Sequence, residues 1–270
     1  MSDTNINLQN VSNVISNNYG FIAILLSIVS IISTRMYGYT AFFTENGVSI
    51  TNPELYLNLR NIEYISANWP FVLQTDPYLD YPGGAVNSSG LFDYIAGTLA
   101  YFGQTLQLPF EISKILLLVL PIILIAVTAI PVYYTAKEIF NRPIAVGTVL
   151  IYPVIPSELY STSVIGSGSS ETLSVLLFSL SLYFMTKALK IAELNIITVE
   201  VLSELTLDDF TDSLYRATTV NKKFIRYSLF ATLSVTLLGF ANSYGLFLLT
   251  ATTLVFTLLY TASRTIYNDY

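Results

Sequence analysis

Long apolar stretches separated by short polar ones dominate the pattern of this 270-residue chain. A helix needs about 17–25 mostly apolar residues to cross the hydrocarbon core of a bilayer. On that criterion the pattern predicts about six membrane-spanning helices, at residues 19–34, 112–134, 143–159, 172–189, 224–241 and 246–262. The third is the weakest of the six, because it is short and contains Pro153 and Pro156.

The composition supports a membrane protein. The chain is 53% hydrophobic and only 11% charged, whereas ordinary soluble domains are roughly 25% charged. Its net charge of -6 is not the basic footprint of a nucleic-acid-binding protein. We therefore expect contact with membrane lipids and no nucleic-acid partner.

The basic residues predict the orientation of the spans, because cytoplasmic loops are enriched in Lys and Arg. One side of the membrane receives three of the 12 basic residues, Arg35, Arg60 and Lys114. The other side receives nine, which are Lys137, Arg142, Lys187, Lys190, Arg216, Lys222, Lys223, Arg226 and Arg264. We expect the richer side to be cytoplasmic, so that the protein is a multi-pass protein of the cell membrane with both termini inside.

This topology predicts one transmembrane domain over residues 1–270, which contains three polar segments outside the spans. Residues 35–111 form a long first external loop, and residues 160–171 form a second external loop. The cytoplasmic segment 191–223 carries many acids, and its apolar residues recur loosely at helical spacing, which predicts an amphipathic surface helix.

Neither cysteine nor histidine occurs in the sequence. Disulfides, thiolate metal sites and imidazole acid–base chemistry are therefore excluded for this chain. A metal would need oxygen ligands, which favours Mg²⁺, Mn²⁺ or Ca²⁺.

Two polar motifs carry a resemblance to a known family. The first external loop contains NPELYLNLRNIEYISANWPFVLQTDPYLDYPGG, residues 52–84. It resembles the first external loop of the catalytic subunit of oligosaccharyltransferases, of the archaeal AglB type, in which an acid precedes an Arg by six residues and a D-P-Y…Y-P-x-G phrase follows. Glu54, Arg60 and residues 76–84 match that order. The resemblance extends over about residues 35–190.

The second motif is VIGSGSSET, residues 164–172, which follows a P-V-Y…K-E-[LI]-F phrase at residues 131–140. It is similar to the R-S-x-x-G-x-x-D-x-E motif of the family's second external loop. Three positions depart from the family pattern: Glu54 stands for Asp, Ser169 for Asp and Thr162 for Arg. A neutral hydroxyl at Ser169 removes one carboxylate from the ligand set of a divalent metal.

The resemblance implies an all-α, polytopic helical bundle of the GT-C kind, with a helical first external loop packed against its outer mouth. It implies transfer of a dolichyl-phosphate- or diphosphate-linked oligosaccharide to asparagine of secreted proteins, with the lipid-linked oligosaccharide and an acceptor polypeptide as partners. Glu54 and Glu171 are the expected catalytic residues and ligands of Mn²⁺ or Mg²⁺. Arg60, Tyr78 and Tyr81 are the expected substrate-binding residues.

Because the two acids are expected to share one site, we predict that their carboxylates lie within about 15 Å of each other. Family members continue into further helices and a soluble domain with a W-W-D-Y-G motif. The resemblance therefore also implies a C-terminal part or a partner subunit that recognises the acceptor.

Other functions are compatible with the same residues. The chain could be a non-catalytic GT-C-like membrane scaffold or lipid-glycan binding subunit, which Ser169 favours. It could also be a different GT-C transferase that uses a lipid-monophosphate sugar without a metal.

Each candidate residue has a structural interpretation as well. Asn52-Pro53-Glu54 is typical of a helix start, and Ser169 and Ser170 are good helix caps beside an acid that favours the helix dipole. Interfacial aromatic residues such as Trp69, Tyr78 and Tyr81 commonly anchor membrane proteins. Asp76 and Asp80 fit turn positions exposed to solvent.

Overall fold

The computed structural model describes residues 2–45, 47–50, 52, 55–86, 90–108, 111–155, 158–193, 222–241, 247, 249 and 250. Within this part of the chain the α-helices are α1 (Ser2–Arg35), α2 (Leu55–Asn68), α3 (Leu91–Thr105), α4 (Ile112–Ile139), α5 (Arg142–Ile151), α6 (Glu158–Ser163), α7 (Glu171–Glu193) and α8 (Lys222–Ala241). Short 3-10 turns cover Tyr39–Ala41 and Tyr152–Val154.

Two small antiparallel ribbons interrupt the helices. β1 (Phe43–Thr44) pairs with β2 (Gly47–Val48), and β3 (Thr75–Asp76) pairs with β4 (Ala85–Val86). Each strand has two residues. The ribbons therefore shape loops and leave the fold helical, as the sequence predicts.

Helix α4 lies at the centre of the bundle. It packs against α1, α3, α5 and α7, and α7 in turn packs against α8. Leu117 and Leu118 of α4 are fully buried, in one core with residues of α2, α3 and α7. Helix α4 therefore joins the helices of the first external loop to the rest of the bundle.

Three helices are long and apolar enough to cross a membrane, namely Asn18–Arg35, Ile112–Ile139 and Glu171–Ile191. Shorter apolar helices cover Arg142–Val154 and Ile225–Ala241. The predicted all-α membrane bundle is thereby confirmed, while the number of six spans stays a prediction. Most of the segments 246–262 and 191–223 lies outside the described residues.

The third predicted span, residues 143–159, is not one continuous helix. Asn141 caps the start of α5, because its Oδ1 accepts a hydrogen bond from the Ile144 N–H at 3.0 Å. The α-helix then ends at Ile151 and tightens into the 3-10 turn that contains Pro153. Proline has no N–H to donate and its ring clashes with the preceding turn, which explains the interruption.

The first external loop is helical, and its two helices pack against each other and against α4. A close approach of α2 and α3 occurs at Gly97, where an added Cβ would lie 2.6 Å from Cβ of Ile65. Only glycine permits the two helices to come this near at that point.

Candidate functional site

The second external loop, residues 160–171, includes the end of α6 at Ser163 and leads into α7 at Glu171. A turn closes it, with the Ser167 N–H donating to the Val164 carbonyl at 3.0 Å. Gly166 has a φ of 84° and Gly168 a φ of 55°. Both values lie in the left-handed region that glycine adopts without strain.

The same two glycines mark where the second external loop meets the first. A Cβ at Gly166 would lie 2.0 Å from the Phe42 ring, and one at Gly168 would lie 2.4 Å from Cδ2 of Leu55. The Asn58 side-chain amide donates to the Gly168 carbonyl at 3.3 Å. The first loop therefore folds back onto the second at this end of the bundle.

Glu171 is the first residue of α7 and its side chain is exposed. Its main-chain N–H donates to Oγ of Ser169 at 3.2 Å. Ser169 thus makes a local side-chain-to-backbone bond at the helix start, of the kind that stabilises such ends. The contact agrees with the structural interpretation of Ser169 as a cap at the start of the helix.

Glu54 lies outside the described residues, so its distance from Glu171 stays a prediction. Its neighbour in sequence, Leu55, packs against Gly168, which precedes Glu171 by three positions. Among the residues that the structure describes, no group of three or more acidic side chains comes together in a way that could hold a metal ion. Of the two predicted metal ligands, Glu171 is the one that lies within the described residues.

Arg60 connects α2 to the DPYLDYPGG turn. Its Nη1 lies 3.1 Å from Oδ1 of Asp76, and its guanidinium carbon lies 4.2 Å from the centroid of the Tyr78 ring. Asp76 Oδ1 also accepts a hydrogen bond from the Tyr78 N–H at 2.9 Å. Arg60 and Asp76 together therefore fix the position of Tyr78.

The expectation that Asp76 is a solvent-exposed turn residue is wrong in one respect. Asp76 ends β3 and begins the turn that follows it, but its side chain, which is paired with Arg60, is only 1% exposed. Asp80 is exposed, as expected, with a φ of 54°. A buried carboxylate needs a partner such as this guanidinium to offset its lost hydration.

The remaining aromatic candidates differ in their surroundings. Tyr78 is 75% exposed and Tyr81 is 82% exposed, so both rings are open to a ligand. Trp69 instead stacks on Tyr101 of α3, with ring centroids 5.4 Å apart. Trp69 thus contributes to the packing between the two loop helices.

Sequence reasoning missed three buried polar side chains, those of Arg35, Asn61 and Asp93. Arg35, at the end of α1, is 3% exposed and bonds to the second external loop. The Asn61 amide donates to Oδ2 of Asp93 at 3.0 Å, which joins α2 to α3. Burial raises the pKa of Asp93, while hydrogen bonds from Asn61 and the Gly90 N–H act in the opposite direction. An acid within the apolar helix LFDYIAGTLAYF was the available sequence signal for Asp93.

Together, the bundle and its joined external loops define a helical membrane protein with a polar site at one end. The chain belongs to the STT3 family, because the model described as "Oligosaccharyl transferase STT3, N-terminal" matches residues 21–269. The family resemblance that the two loop motifs carry is therefore confirmed.

Two relatives show similarity along more than half of the chain. The dolichyl-monophosphooligosaccharide–protein glycotransferase AglB of Haloferax volcanii is 24% identical over 161 residues, which are 59% of this chain. The dolichyl-phosphooligosaccharide-protein glycotransferase 1 of Archaeoglobus fulgidus is 29% identical over 168 residues, which are 62% of this chain. The matches span 15% and 27% of the lengths of those two proteins.

Solved structures of an oligosaccharyltransferase from Archaeoglobus fulgidus share the fold. The complex with Zn and sulfate has a TM-score of 0.66 at 18% identity and covers 87% of this chain and 26% of its own. The complex with an inhibitory peptide and a dolichol-phosphate has a TM-score of 0.66 at 18% identity and covers 90% and 26%. The chain thus shares its fold with about a quarter of that protein.

Proposed function

We propose that this chain is the membrane-embedded front part of an oligosaccharyltransferase, which transfers a dolichyl-phosphate- or diphosphate-linked oligosaccharide to asparagine of secreted proteins. The observation that carries the proposal is the docking of the two external loops. Phe42 and Leu55 of the first loop pack against Gly166 and Gly168 of the second. This contact joins the two segments that contain Glu54 and Glu171.

Membership of the STT3 family supports the proposed substrates. An Archaeoglobus fulgidus relative has been solved with a dolichol-phosphate, and also with a tethered acceptor peptide that contains the NVT sequon. We propose the same two classes of partner here, with acceptor recognition completed by a C-terminal part or a partner subunit. The active site then faces outside, and both termini of this segment lie in the cytoplasm of a multi-pass protein of the cell membrane.

The proposed cofactor is Mn²⁺ or Mg²⁺, with Glu54 and Glu171 as carboxylate ligands. The exposed carboxylate of Glu171 suits such an ion, since both metals prefer oxygen ligands. When bound, the metal would neutralise negative charge on the phosphate of the departing lipid. The complex of the Archaeoglobus fulgidus relative contains Zn, which supports a divalent ion in the proposed site.

The protein's own side chains have separate proposed roles. Glu54 and Glu171 position the amide of the acceptor asparagine as the nucleophile. The open rings of Tyr78 and Tyr81 provide stacking surfaces for sugar. Arg60, whose side chain is 37% exposed, contacts the substrate beside Tyr78 and orients that ring.

The alternative function is a non-catalytic scaffold or a lipid-glycan binding subunit. The hydrogen bond between Ser169 and Glu171 favours it. The Ser169 hydroxyl is engaged by the Glu171 N–H. In this second candidate function Glu171 serves only the start of α7, and lipid-linked glycan binds without transfer.

One transfer assay separates the two functions. The complete gene product in its membranes is tested with a lipid-linked oligosaccharide and an Asn-Val-Thr peptide, as wild type, E54Q and E171Q. We expect each substitution to lower the rate by at least about 100-fold, as removal of a group that stabilises the transition state does. E63Q, which changes an exposed acid on α2, is the control. Full activity of E171Q would exclude the catalytic role, and no transfer by the wild type would favour the scaffold.

A further inference from the structure

Arg35 is the last residue of α1 and is buried at the junction with the second external loop. A guanidinium stays charged at any physiological pH. Burying a charge costs free energy unless its donors find acceptors. The contacts of Arg35 are therefore expected to persist and to hold their partners in place.

The guanidinium reaches two separate segments of the chain. Its Nη1 donates to the Pro153 carbonyl at 2.9 Å, in the 3-10 turn after α5. Its Nε donates to Oγ of Ser163 at 3.2 Å, at the last residue of α6. The guanidinium carbon also lies over the Tyr160 ring, 4.3 Å from the ring centroid. The segment before α6 and the last residue of α6 are thereby both bonded to the end of α1.

The main chain of Arg35 adds a further bond to the loop itself. The Ile165 N–H donates to the Arg35 carbonyl at 3.0 Å. Ile165 directly precedes Gly166, the residue that packs against Phe42. The side chain and the main chain of one residue thus fix the start of the loop that ends at Glu171.

We propose that Arg35 is a positioning residue for Glu171, because it clamps the second external loop to the end of α1. This inference rests on the proposed function for the role of Glu171, but the clamp itself does not. Replacement of Arg35 should let the loop move and should weaken the function of Glu171, without any contact between the two side chains.

The first experiment measures the loop directly in the full chain, reconstituted in lipid vesicles. The chain has no cysteine, so S169C provides one thiol in the loop, where Ser169 is half-buried. We expect R35Q to raise the maleimide labelling rate of S169C by at least about threefold, because loss of the clamp raises the population of open loop. R35K, which keeps the charge and part of the hydrogen bonding, should fall between R35Q and the wild type.

R142Q is the matched control. Arg142 also lies over a tyrosine ring, that of Tyr19, at 4.1 Å, but at the start of α5. It should leave the labelling rate of S169C unchanged. An equal rate in R35Q and wild type overturns the clamp, whether or not the protein is a transferase. If R35Q fails to fold, S163A removes the acceptor of the Arg35 Nε, together with the bond from the Ser163 hydroxyl to the Tyr160 carbonyl. It must itself raise the rate, or the proposal is wrong.

The second experiment asks whether Arg35 acts through Glu171. Thermal stabilisation by Mn²⁺ is measured for wild type, R35Q, E171Q and the double variant. We expect R35Q to weaken Mn²⁺ binding about tenfold in the wild-type background and not at all in E171Q, since coupled residues are non-additive. Additive effects would indicate general destabilisation and overturn the positioning role. If Mn²⁺ stabilises no variant, the metal part of the proposed function fails, while the labelling result still decides the clamp.

Discussion

We propose that single residues at the two loops decide which chemistry this protein can perform. Ser169 is the clearest example, because its hydroxyl accepts the Glu171 N–H at 3.2 Å where the resembling family has an acid. Serine and aspartate are about equally good at helix starts. A change between them therefore alters the charge of the site with little expected effect on folding.

We predict that S169D strengthens the binding of Mn²⁺, because it returns a carboxylate to the proposed ligand set. A tenfold gain in affinity adds about 1.4 kcal/mol of stabilisation at saturating metal, visible as a larger shift of the melting temperature. S169A is the control, since it loses the Glu171 contact and adds no charge. An unchanged response of S169D would mean that position 169 does not face the metal.

Asp93 makes the stability of the folded protein depend on pH, and the direction of that dependence follows from its surroundings. Burial raises the pKa of its carboxyl in the folded state, so the folded protein binds a proton that the unfolded chain releases. Below the unfolded pKa of about 3.9 the carboxyl is protonated in both states and costs nothing. As the pH rises from there through the folded pKa, the wild type loses stability.

D93N removes that cost, and we predict that its melting temperature exceeds that of the wild type by a margin that widens from pH 4 upwards. Melting curves at several pH values provide the measurement. D80N, which changes an exposed carboxylate of the same loop, is the control. A margin that stays constant with pH would show that the Asp93 carboxyl is not the source.

At the scale of elements, glycine positions determine how closely helices and loops approach. Gly97 brings α3 against Ile65 of α2, and Gly166 brings the second external loop against Phe42. By contrast, nothing lies within 4 Å of a Cβ added at Gly147 of α5. The same residue type therefore has opposite consequences in two helices.

We predict that G97A destabilises the protein and that G147A does not. At Gly97 the new methyl meets Ile65, and overpacking of this kind costs about 1–3 kcal/mol. At Gly147 the alanine gains helix propensity of up to about 1 kcal/mol. Thermal unfolding in detergent compares the two variants, and equal effects would contradict the close packing of α2 and α3.

At the scale of the whole molecule, the distribution of basic residues predicts which face of the bundle is outside. Nine of the 12 Lys and Arg residues fall on the side assigned to the cytoplasm. If the proposed function is right, this orientation places the docked external loops on the side where an acceptor protein is secreted.

Single-cysteine labelling tests the orientation, since the 270 residues contain no cysteine. We predict that an impermeant maleimide modifies T105C, at the end of α3, in intact cells. It should modify F140C, between α4 and α5, only after the membrane is opened. Both positions are exposed in the fold. The reverse pattern would invert the topology and exclude an external site.

The sequence by itself determined the class of protein, the helical fold and the segments that carry the candidate chemistry. Apolar length predicts membrane helices because a bilayer core has a fixed thickness. Proline interrupts a helix through its own ring and its missing N–H, so Pro153 and Pro156 marked the third predicted span as weak. The helix there stops at Ile151. The order of motifs in the two external loops indicated the family, since those motifs are contiguous in the chain.

Only the tertiary structure decided which distant residues meet. The pairing of Arg60 with Asp76, the burial of Asp93 beside Asn61 and the contacts of Arg35 with Pro153 and Ser163 all join residues far apart in sequence. Apolar periodicity records which face of an element is buried, but not which polar group of another element lies opposite it. Such pairs form because a buried polar or charged group must find its partner wherever the fold brings one within reach.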